Sequence, residues 1–451
     1  MTPPFRKVLI ANRGEIALRI IRACRELGIS TVAAYSTADA DSLPVKFADE
    51  AVCIGPPHPK FSYLNMPSIL SAADITGAEA IHPGYGFLSE NPEFARLCGQ
   101  CDITFIGPSP ENIEAMGVKT RARAIAKEAG VPLLPGTLAA VPDCDAAIEA
   151  AEEIGYPVIL KASGGGGGRG IHVIYNASQL RAVFERASLE ALSAFGDRSM
   201  YIEKYCEHPR HVEIQVLCDR AGNRIALGER DCTIQRRHQK LIEESPCPVI
   251  DAGLRQAMVK AALKLCAAVN YDSVGTVEFL VDEKKNFYFM EMNTRIQVEH
   301  AVTEMVTGID LIKEQIRIAA GQPTTIKQSD VVIRTHAMEF RINAEDPERF
   351  FPSPGTITAL HVPGGFGVRV DSFVFAQYKV VPFYDSMIAK VIVHAPTRDE
   401  AILKMRQALD EFVVEGIKTN IPFYKKILAS KKFKDSDYDT HFLEAFLPKY
   451  E

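Results

Sequence analysis

The chain has 451 residues, which is more than one compact core usually holds, so two to four domains are expected. Its formal net charge of -6 provides no basic surface for nucleic acid, and no run approaches the roughly 18 apolar residues that a membrane span needs. The opening MTPPFRKVLIANRGEI reaches charged residues too soon for a signal peptide, and ten cysteines in mostly apolar contexts indicate reduced thiols. We therefore expect a cytoplasmic protein without nucleic-acid or membrane partners.

The first hundred residues alternate between short apolar runs and a helical pattern. RKVLIA (6–11) and TVAAYS (31–36) are typical of strands, and the stretch between them repeats apolar residues at helical spacing until Gly28. The apolar TFIG (104–107) follows a further helical stretch. Strands that alternate with helices in this way predict a parallel, doubly wound sheet.

Residues 161–170 read KASGGGGGRG, and the flanking YPVILKA (156–162) and IHVIY (171–175) are both typical of strands. A dinucleotide fingerprint needs a helix after its glycines, and a Walker loop needs a closing Gly-Lys-Ser/Thr, so both are excluded. The pattern predicts a hairpin whose exposed N–H groups can cover phosphates as a flap. Lys161, on the entering strand, favours this interpretation over a hairpin that binds no ligand.

The remaining chain predicts further β structure around a few helices. HVEIQVLCD and NRIALGERD form strands around a Gly-Asn turn, and helices are expected near 253–269 and within TRDEAILKMRQALDEF (397–412). From about residue 331 the composition becomes β-rich.

Two glutamates are predicted to meet across a hairpin. GTVEFLVDEKKNFYFMEMN reads as two strands around a turn near Glu283–Asn286, which places Glu278 directly opposite Glu291. Like charges in such a pair are destabilising, so a cation is expected between them. Carboxylate oxygens suit Mg²⁺, which commonly bridges protein carboxylates and nucleotide phosphates.

A polar stripe continues from Glu291. If the backbone stays extended, one face carries alternating polar groups while Met292, Ile296 and Val298 take the other face. The polar residues are Glu291, Asn293, Arg295, Gln297 and Glu299. Such a face could bind a small anion at Arg295 and Gln297, with Glu299 as general base, although a salt-bridged edge strand is the plain alternative.

Taken together, several segments closely resemble biotin carboxylase, the ATP-grasp component of biotin-dependent carboxylases. The matching segments run nearly end to end and are KVLIANRGEIALRIIRAC, AIHPGYGFLSEN, FIGPSPENIEAMG, LKASGGGGGRG, YIEKY, HVEIQVL, GERDCTIQRRHQKLIEE, EMNTRIQVEH, RINAEDP and YDSMIAK. Val118 and Ala301 depart from the family's usual acidic residue and proline, and Ser163-Gly164 lengthens the glycine run.

The resemblance implies a mixed α/β fold in three parts: an N-terminal doubly wound domain (1–115), an ATP-grasp domain (116–330, with a lid at about 132–203) and a C-terminal β-rich domain (331–451). It also implies the reaction. ATP phosphorylates bicarbonate to carboxyphosphate, and the carboxyl group then passes to biotin on a carrier protein. The glycine run would close as a lid that shields this reactive intermediate from water.

The resemblance also assigns site residues, position by position. ATP would be bound by Lys119, Lys161, Gly165, Gly166, Gly167, Gly168, Glu203, Lys204, His211, Gln235, His238, Glu278, Leu280 and Glu291. Two Mg²⁺ or Mn²⁺ ions would be held by Glu278, Glu291 and Asn293. Bicarbonate would contact Lys240, Arg295, Gln297 and the Val298 backbone, with Glu299 as its base. Arg341 would stabilise the biotin enolate in a pocket lined by Tyr85 and Gly86; by themselves, Arg341, His211 and His238 would be unremarkable polar residues.

Two other functions can be weighed against biotin carboxylation from the sequence alone. Another ATP-grasp ligase is disfavoured by QVEH and RINAED, and a catalytically silent nucleotide-binding subunit by the retained lysines and glutamates. No Met-Lys-Met biotin-attachment motif occurs, so the carrier and carboxyltransferase are expected on separate chains. The preferred parent complex is acetyl-CoA carboxylase, which serves fatty acid synthesis, with a two-subunit pyruvate carboxylase as the alternative. The resemblance also implies a homodimer.

Overall fold

The computed structural model describes residues 3–164 and 170–447. Its architecture is mixed α/β, with a five-stranded parallel sheet, a three-stranded sheet, an eight-stranded antiparallel sheet and two two-stranded ribbons. Within the described ranges, no helix is both long enough and apolar enough to cross a membrane.

The N-terminal part is the predicted doubly wound parallel sheet, with strand order β3-β2-β1-β4-β5. The apolar stripe of α1 packs into the core, and the helix ends just before Gly28, whose φ of +73° suits glycine. The strands are β1 (Lys7–Ile10), β2 (Ser30–Ser36), β3 (Glu50–Gly55), β4 (Ala80–His82) and β5 (Thr104–Phe105). The helices are α1 (Gly14–Glu26), α2 (Leu43–Phe47), α3 (Met66–Thr76), α4 (Pro92–Gln100) and α5 (Pro110–Gly117).

The small sheet confirms the hairpin predicted around the glycine run. Its central strand β6 pairs antiparallel with both β7 and β8, and Lys161 lies opposite Ile171. Gly165, Gly166, Gly167 and Gly168 lie outside the described residues, so their assignment stays a prediction. The elements of this part are α6 (Lys119–Glu128), α7 (Cys144–Ile154), β6 (Val158–Ala162), β7 (Ile171–Ile174), α8 (Ala177–Phe195) and β8 (Met200–Lys204).

The eight-stranded sheet has the order β13-β12-β9-β10-β11-β14-β19-β17. Its first strands are β9 (Arg210–Cys218), β10 (Arg224–Arg236), β11 (Gln239–Ser245), β12 (Ser273–Val281) and β13 (Phe287–Asn293). The helix α9 (Ala252–Ala268) lies between β11 and β12 in the chain, and α10 (His300–Thr307) and α11 (Leu311–Ala319) follow β13. The strands β14 (His336–Asn343), β17 (Val368–Ser372) and β19 (Met387–Ala395) complete this sheet. The two ribbons pair β15 (Gly355–Thr356) with β18 (Lys379–Val380) and β16 (Ala359–His361) with β20 (Val413–Glu415). The last helices are α12 (Arg398–Glu411), α13 (Ile421–Ala429) and α14 (Lys431–Lys434).

This sheet runs across the domain boundary expected at residue 330. Strand β11 pairs antiparallel with β14, from Ile242 opposite Phe340 to Ser245 opposite Ala337. The apolar side chains of Ile234, Leu241 and Ile242 belong to the same core as those of β14 and β19. The central and C-terminal parts therefore share one sheet and part of one core.

Side-chain caps fix where many helices begin. In each case an oxygen of the residue before the helix accepts a hydrogen bond from a backbone N–H of the first turn, which would otherwise have no partner. The capping residues are Asn65, Asn91, Ser109, Asp143, Asn176, Asp251, Asp310 and Thr397. Proline in the first turn of α3, α4 and α5 supports the same starts.

A buried ion cluster fastens the C-terminal part to β11. The Glu244 carboxylate accepts hydrogen bonds from His336 Nε2 at 2.6 Å, Arg398 Nε at 2.8 Å and Tyr438 Oη at 2.5 Å. Burial would raise the pKa of Glu244, but His336 and Arg398 outweigh it and lower the pKa to about 2. Glu244 therefore stabilises the fold in its ionised form.

We expect Glu244→Gln to lower the free energy of unfolding at pH 7 by about 3 kcal/mol, the value of a pKa shift from 4.5 to about 2. Because the folded-state pKa is depressed, this contribution is complete above about pH 4.5 and is lost as the pH falls towards 2. Chemical unfolding at pH 7 and at lower pH measures the difference. Glu149→Gln, on the exposed face of α7, serves as control, and equal stability of the two variants would contradict the role of Glu244.

Candidate active site

A cavity of about 1460 Å³ opens between the parallel sheet, the small sheet and the eight-stranded sheet. Nearly all predicted site residues that the structure describes line it, although they come from distant parts of the sequence. These residues are Tyr85, Gly86, Lys119, Lys161, Lys204, His211, Gln235, His238, Lys240, Glu278, Leu280, Glu291, Asn293, Arg295, Gln297, Val298, Glu299 and Arg341. Such convergence of polar groups in one cleft is typical of an active site.

Glu203 is the described site residue that does not line the cavity. Its buried carboxylate instead accepts hydrogen bonds from Lys161 and from Arg123. Burial would raise the pKa of Glu203, but Lys161 and Arg123 outweigh it and lower the pKa. The side chain therefore holds Lys161 at the cavity wall, and a direct contact of Glu203 with nucleotide stays a prediction.

A row of charged side chains crosses four neighbouring strands beside the cavity, and Glu278 and Glu291 of this row line it. Glu291 on β13 lies opposite Glu278 on β12, which lies opposite Glu213 on β9, which in turn lies opposite Arg230 on β10. The predicted pairing of Glu278 with Glu291 is therefore confirmed. Side chains at paired positions share one face of a sheet, so three carboxylates are brought together in a buried environment.

Lys240, on β11, offsets the charge of this row. Its ammonium lies 2.5 Å from Glu213 Oε2, 2.8 Å from Glu278 Oε1 and 2.6 Å from Glu299 Oε1. Burial would lower the pKa of Lys240, but these three carboxylates raise it well above its ordinary value. Lys240 is therefore a permanent cation at the centre of the site.

Glu278 is the most heavily bonded carboxylate of the row. Besides Lys240, its Oε1 accepts hydrogen bonds from Asn293 Nδ2 at 2.7 Å and Gln297 Nε2 at 2.9 Å, and its Oε2 lies 2.9 Å from His211 Nε2. Burial would raise the pKa of Glu278, but Lys240 and His211 hold it well below the ordinary value. The carboxylates of Glu278 and Glu291, with the amide oxygen of Asn293, are hard donors of the type that Mg²⁺ prefers.

The extended backbone predicted through residue 299 is wrong beyond Asn293, where β13 ends. The chain then turns, and the N–H of His300 donates to the carbonyl oxygen of Gln297 as α10 begins after Glu299. The predicted alternation of polar and apolar residues between two faces ends where the strand ends, since Val298 also lines the cavity. The polar side chains at 293, 295, 297 and 299 nevertheless all reach the cavity, because the turn folds around it.

Glu299 sits between two cations. Its Oε1 accepts a hydrogen bond from Lys240, and its Oε2 accepts one from Arg341 Nη2 at 2.9 Å. Burial would raise the pKa of Glu299, but Lys240, Arg341 and Arg230 outweigh it and hold the pKa well below its ordinary value. Glu299 is thus an ionised carboxylate, able to accept a proton, in direct contact with two groups that can bind an anion.

Arg341 has a second carboxylate partner. Its Nε donates to Glu243 Oε1 at 2.6 Å, so the guanidinium is held between Glu243 and Glu299. Burial, partly offset by Arg341, raises the pKa of Glu243 to about 7. Arg341 is consequently fixed at the cavity wall rather than extended into solvent.

Arg295 and Gln297, the two side chains predicted to bind the anion, are each held by a hydrogen bond to a neighbouring charged residue. Arg295 Nε donates to Glu90 Oε2 at 2.8 Å, and Gln297 Oε1 accepts from Arg230 Nη2 at 2.7 Å. Because its oxygen is occupied, Gln297 presents its NH₂ group towards the row of carboxylates. Such fixed orientation is what a binding site for a small planar anion requires.

The carbonyl oxygen of Val298 accepts a hydrogen bond from Lys390 Nζ at 2.5 Å. Lys390 is fully buried, and its ammonium also lies 3.3 Å from Glu15 Oε1, which accepts the hydroxyl of Tyr85 at 2.5 Å. Burial raises the pKa of Glu15, and Lys390 only partly offsets this. One lysine of the C-terminal part thus ties the turn before Glu299 to the wall that Tyr85 lines.

The lysines predicted to bind phosphate, Lys119 and Lys161, also line the cavity. Lys119 Nζ lies 3.4 Å from Glu291 Oε2, and its backbone N–H donates to the carbonyl oxygen of Ser163. Burial and the charges of Lys161 and Lys119 lower the pKa of His238, so that its imidazole is neutral. His211 is held by Gln235, whose Nε2 lies 2.7 Å from Nδ1 of the ring.

Sequence reasoning missed the residues that support this site. They are Glu90, Glu213, Arg230, Glu243 and Lys390. The polar alternation of His211, Glu213 and Gln215 within the otherwise apolar HVEIQVL was a signal for Glu213. The others act from strands or loops distant in sequence, and no local pattern marks them.

Three family descriptions match the chain in succession. They are biotin carboxylase N-terminal domain (residues 4–113), carbamoyl-phosphate synthase L chain ATP-binding domain (118–327) and biotin carboxylase C-terminal domain (339–445). Biotin carboxylase 1 of Bacillus subtilis is 56% identical over 98% of this chain and 99% of its own length. A pyruvate carboxylase subunit of Methanothermobacter thermautotrophicus is 53% identical over 98% of this chain and 90% of its own length.

Among solved structures, the chain is similar to the biotin carboxylase domain dimer of the 2-oxoglutarate carboxylase of Hydrogenobacter thermophilus, crystallised with magnesium ADP, ADP and bicarbonate. The TM-score is 0.95, at 51% identity, with 98% of this chain and 97% of that chain covered. The similarity in both sequence and fold extends over nearly the whole chain. The chain belongs to the biotin carboxylase family and is an ATP-dependent carboxylating ligase.

Proposed function

We propose that the chain carboxylates biotin on a biotin carboxyl carrier protein, using ATP and bicarbonate and passing through carboxyphosphate, with ADP, phosphate and carboxybiotin as products. This is the first half-reaction of acetyl-CoA carboxylase, on the path to malonyl-CoA and fatty acids. The observation that carries the proposal is the ionised Glu299 held between Lys240 and Arg341, in one cavity with Lys119 and Lys161, the lysines predicted to bind phosphate.

Bicarbonate would bind at Lys240, Arg295, Gln297 and the backbone of Val298, beside the Glu299 carboxylate. Bicarbonate becomes an effective nucleophile once its proton is removed, and Glu299 is the ionised group in contact with this site. Because the same cations hold Glu299 and would hold the anion, an entering anion competes for their charge. That competition raises the pKa of Glu299 and so strengthens the base once substrate is bound.

ATP phosphates would lie against Lys119 and Lys161, whose charges offset the negative charge that builds up during phosphoryl transfer. Lys204, His211, Gln235, His238 and Leu280 are the candidates for the remaining nucleotide contacts. Glu278 and Glu291, with Asn293 beside them, would hold Mg²⁺ or Mn²⁺. The metal, when bound, supplies further positive charge to the phosphates.

Biotin would approach from the side of Arg341, Tyr85 and Gly86. Loss of the biotin N–H proton leaves an enolate-like oxygen, and Arg341, fixed between Glu243 and Glu299, can donate a hydrogen bond to it. Basic phosphate from the decay of carboxyphosphate can take that proton. Closure of the predicted glycine-rich lid would protect the intermediate from water during these steps.

Several further features belong to this proposal. The chain would work as a homodimer in the cytoplasm, with the carrier and the carboxyltransferase as separate chains. Its domains would divide near residues 115 and 330. The alternative parent complex is a two-subunit pyruvate carboxylase, favoured by the identity of 53% to the Methanothermobacter thermautotrophicus protein.

The proposal predicts ADP release by the purified chain with magnesium ATP that depends on bicarbonate and increases with free biotin. Absence of biotin stimulation would contradict it in favour of another ligase. Transfer from the carboxylated carrier to acetyl-CoA or pyruvate by the respective carboxyltransferase would then distinguish the two parent complexes.

Glu299→Gln should lower turnover by about 10²–10⁴-fold, because a positioned base is lost while the shape of the side chain is kept. The dissociation constant for ADP should stay close to that of the wild type. Glu111→Gln, at an exposed position of α5, is the matched control. Turnover of Glu299→Gln near that of the control would remove Glu299 from the role of base.

Lys390→Met should raise the KM for bicarbonate and lower turnover by about 10- to 100-fold, since a displacement of about 1 Å at a reacting group can cost this much. The reason is the lost hydrogen bond to the Val298 carbonyl oxygen. Lys404→Met, which also loses lysine bonds to backbone carbonyls but outside the cavity, is the control. An unchanged KM for bicarbonate in a folded Lys390→Met protein would refute the positioning role.

A further inference from the structure

A second cavity, of about 660 Å³, adjoins the first, since His441 lines both. It lies between the loop that precedes β9 and the segment that follows α14. Its lining contains acidic side chains, Asp282, Glu283, Asp437 and Asp439, as well as two lysines. None of the steps proposed above uses a residue that lines this second cavity.

Two histidines and an aspartate converge on this cavity. His208, Asp439 and His441 each offer one donor atom, and the three atoms lie within 4.8 Å of one another. His208 Nδ1 is 2.8 Å from Asp439 Oδ2, and His441 Nδ1 is 3.6 Å from Asp439 Oδ1. Two imidazoles and one carboxylate are a common ligand set for zinc and related ions, which bind nitrogen at about 2.0–2.1 Å.

His441 is oriented as a metal ligand would be. Its Nε2 is 3.1 Å from the hydroxyl of Tyr205, whereas its buried Nδ1 has no hydrogen-bond partner among the described residues. A ligating histidine typically uses one ring nitrogen for the metal and the other for an orienting partner. The rings of His208 and His441 are tilted by 70° with centroids 5.9 Å apart, so they do not block one another by stacking.

We propose that His208, Asp439 and His441 form a binding site for a divalent transition metal of the Zn²⁺ type, separate from the nucleotide's magnesium and independent of the proposed reaction. The side chain of His208 is 56% exposed, so its ring can turn onto an ion without disturbing the core. Three protein ligands leave one position open to water from the cavity. Imidazole donors disfavour Mg²⁺, which keeps this site distinct from the one at Glu278 and Glu291.

A bound ion would act as a clamp between distant segments. His208 and Asp439 are 231 positions apart in sequence, and Tyr205 and Thr440, beside the ligands, line the first cavity. The ion would therefore fix the C-terminal segment against the edge of the nucleotide site. Such a link stabilises the folded chain because the ion binds the unfolded chain more weakly.

The test uses Co²⁺ as a probe for Zn²⁺, because four-coordinate Co²⁺ absorbs visible light strongly. The full chain, stripped with a chelator, is titrated with Co²⁺ in excess Mg²⁺, which fills sites made of oxygen donors. We expect one Co²⁺ per chain, displaced by Zn²⁺. His208→Asn and Asp439→Asn should each weaken binding by about 100-fold or more, and Tyr205→Phe, which removes only the orienting partner, by about 10-fold.

His361→Asn, an exposed histidine of β16 outside the cluster, is the matched control and should bind Co²⁺ as the wild type does. Zn²⁺ should also raise the midpoint of thermal unfolding of the wild type and of this control, but not of Asp439→Asn. Absence of Co²⁺ binding by the wild type, or unchanged binding by the His208 and Asp439 variants, overturns the proposal. Since none of these measurements uses ATP turnover, their failure is distinct from failure of the proposed reaction.

Discussion

The ammonium of Lys240 is the interaction on which the rest of the cavity depends. Three buried carboxylates, Glu213, Glu278 and Glu299, lie within hydrogen-bond distance of it, and like charges so close together in a poorly solvated site repel strongly. The cation lowers the pKa of Glu278 and of Glu299, so both stay ionised. Without the cation, the pKa of Glu278, a predicted metal ligand, and that of Glu299, the predicted base, would rise. The predicted metal site, the predicted anion site and the predicted base are therefore coupled through one side chain.

Many site residues are fixed in orientation by hydrogen bonds to neighbouring charged residues. A buried arginine or glutamine keeps a useful orientation only if its remaining polar atoms are satisfied. Arg230 does this for Gln297 and Glu213, Glu90 for Arg295, and Glu243 for Arg341. These partners stabilise the geometry before any substrate arrives, so little reorganisation is needed during the reaction.

Features that depend on residues close together in the chain could be predicted from the sequence. Periodicity located α1, α9 and α12, and the hairpin around the glycine run follows from two β-branched stretches. The predicted pairing of Glu278 with Glu291 is correct, although the turn on which the prediction relied is centred elsewhere. The turn is centred half a residue earlier than expected, and a bulge near Met290 compensates, since Phe279 lies opposite Phe289. Lys390 contacts a residue 92 positions away in the chain, and Glu90 contacts one 205 positions away. Such contacts depend on the tertiary fold, and no periodic pattern in the sequence marks them.

The sheet shared by the central and C-terminal parts also limits how the molecule can be divided. Cleavage in the loop after α11 would separate β11 from β14 in sequence, yet their paired residues would still hold the two pieces together. Each piece alone would present an open strand edge, and Ile234, Leu241 and Ile242 would lose the core they share with the C-terminal part, which invites aggregation. Co-expressed, the same pieces would be suited to reassemble through the pairing of β11 with β14.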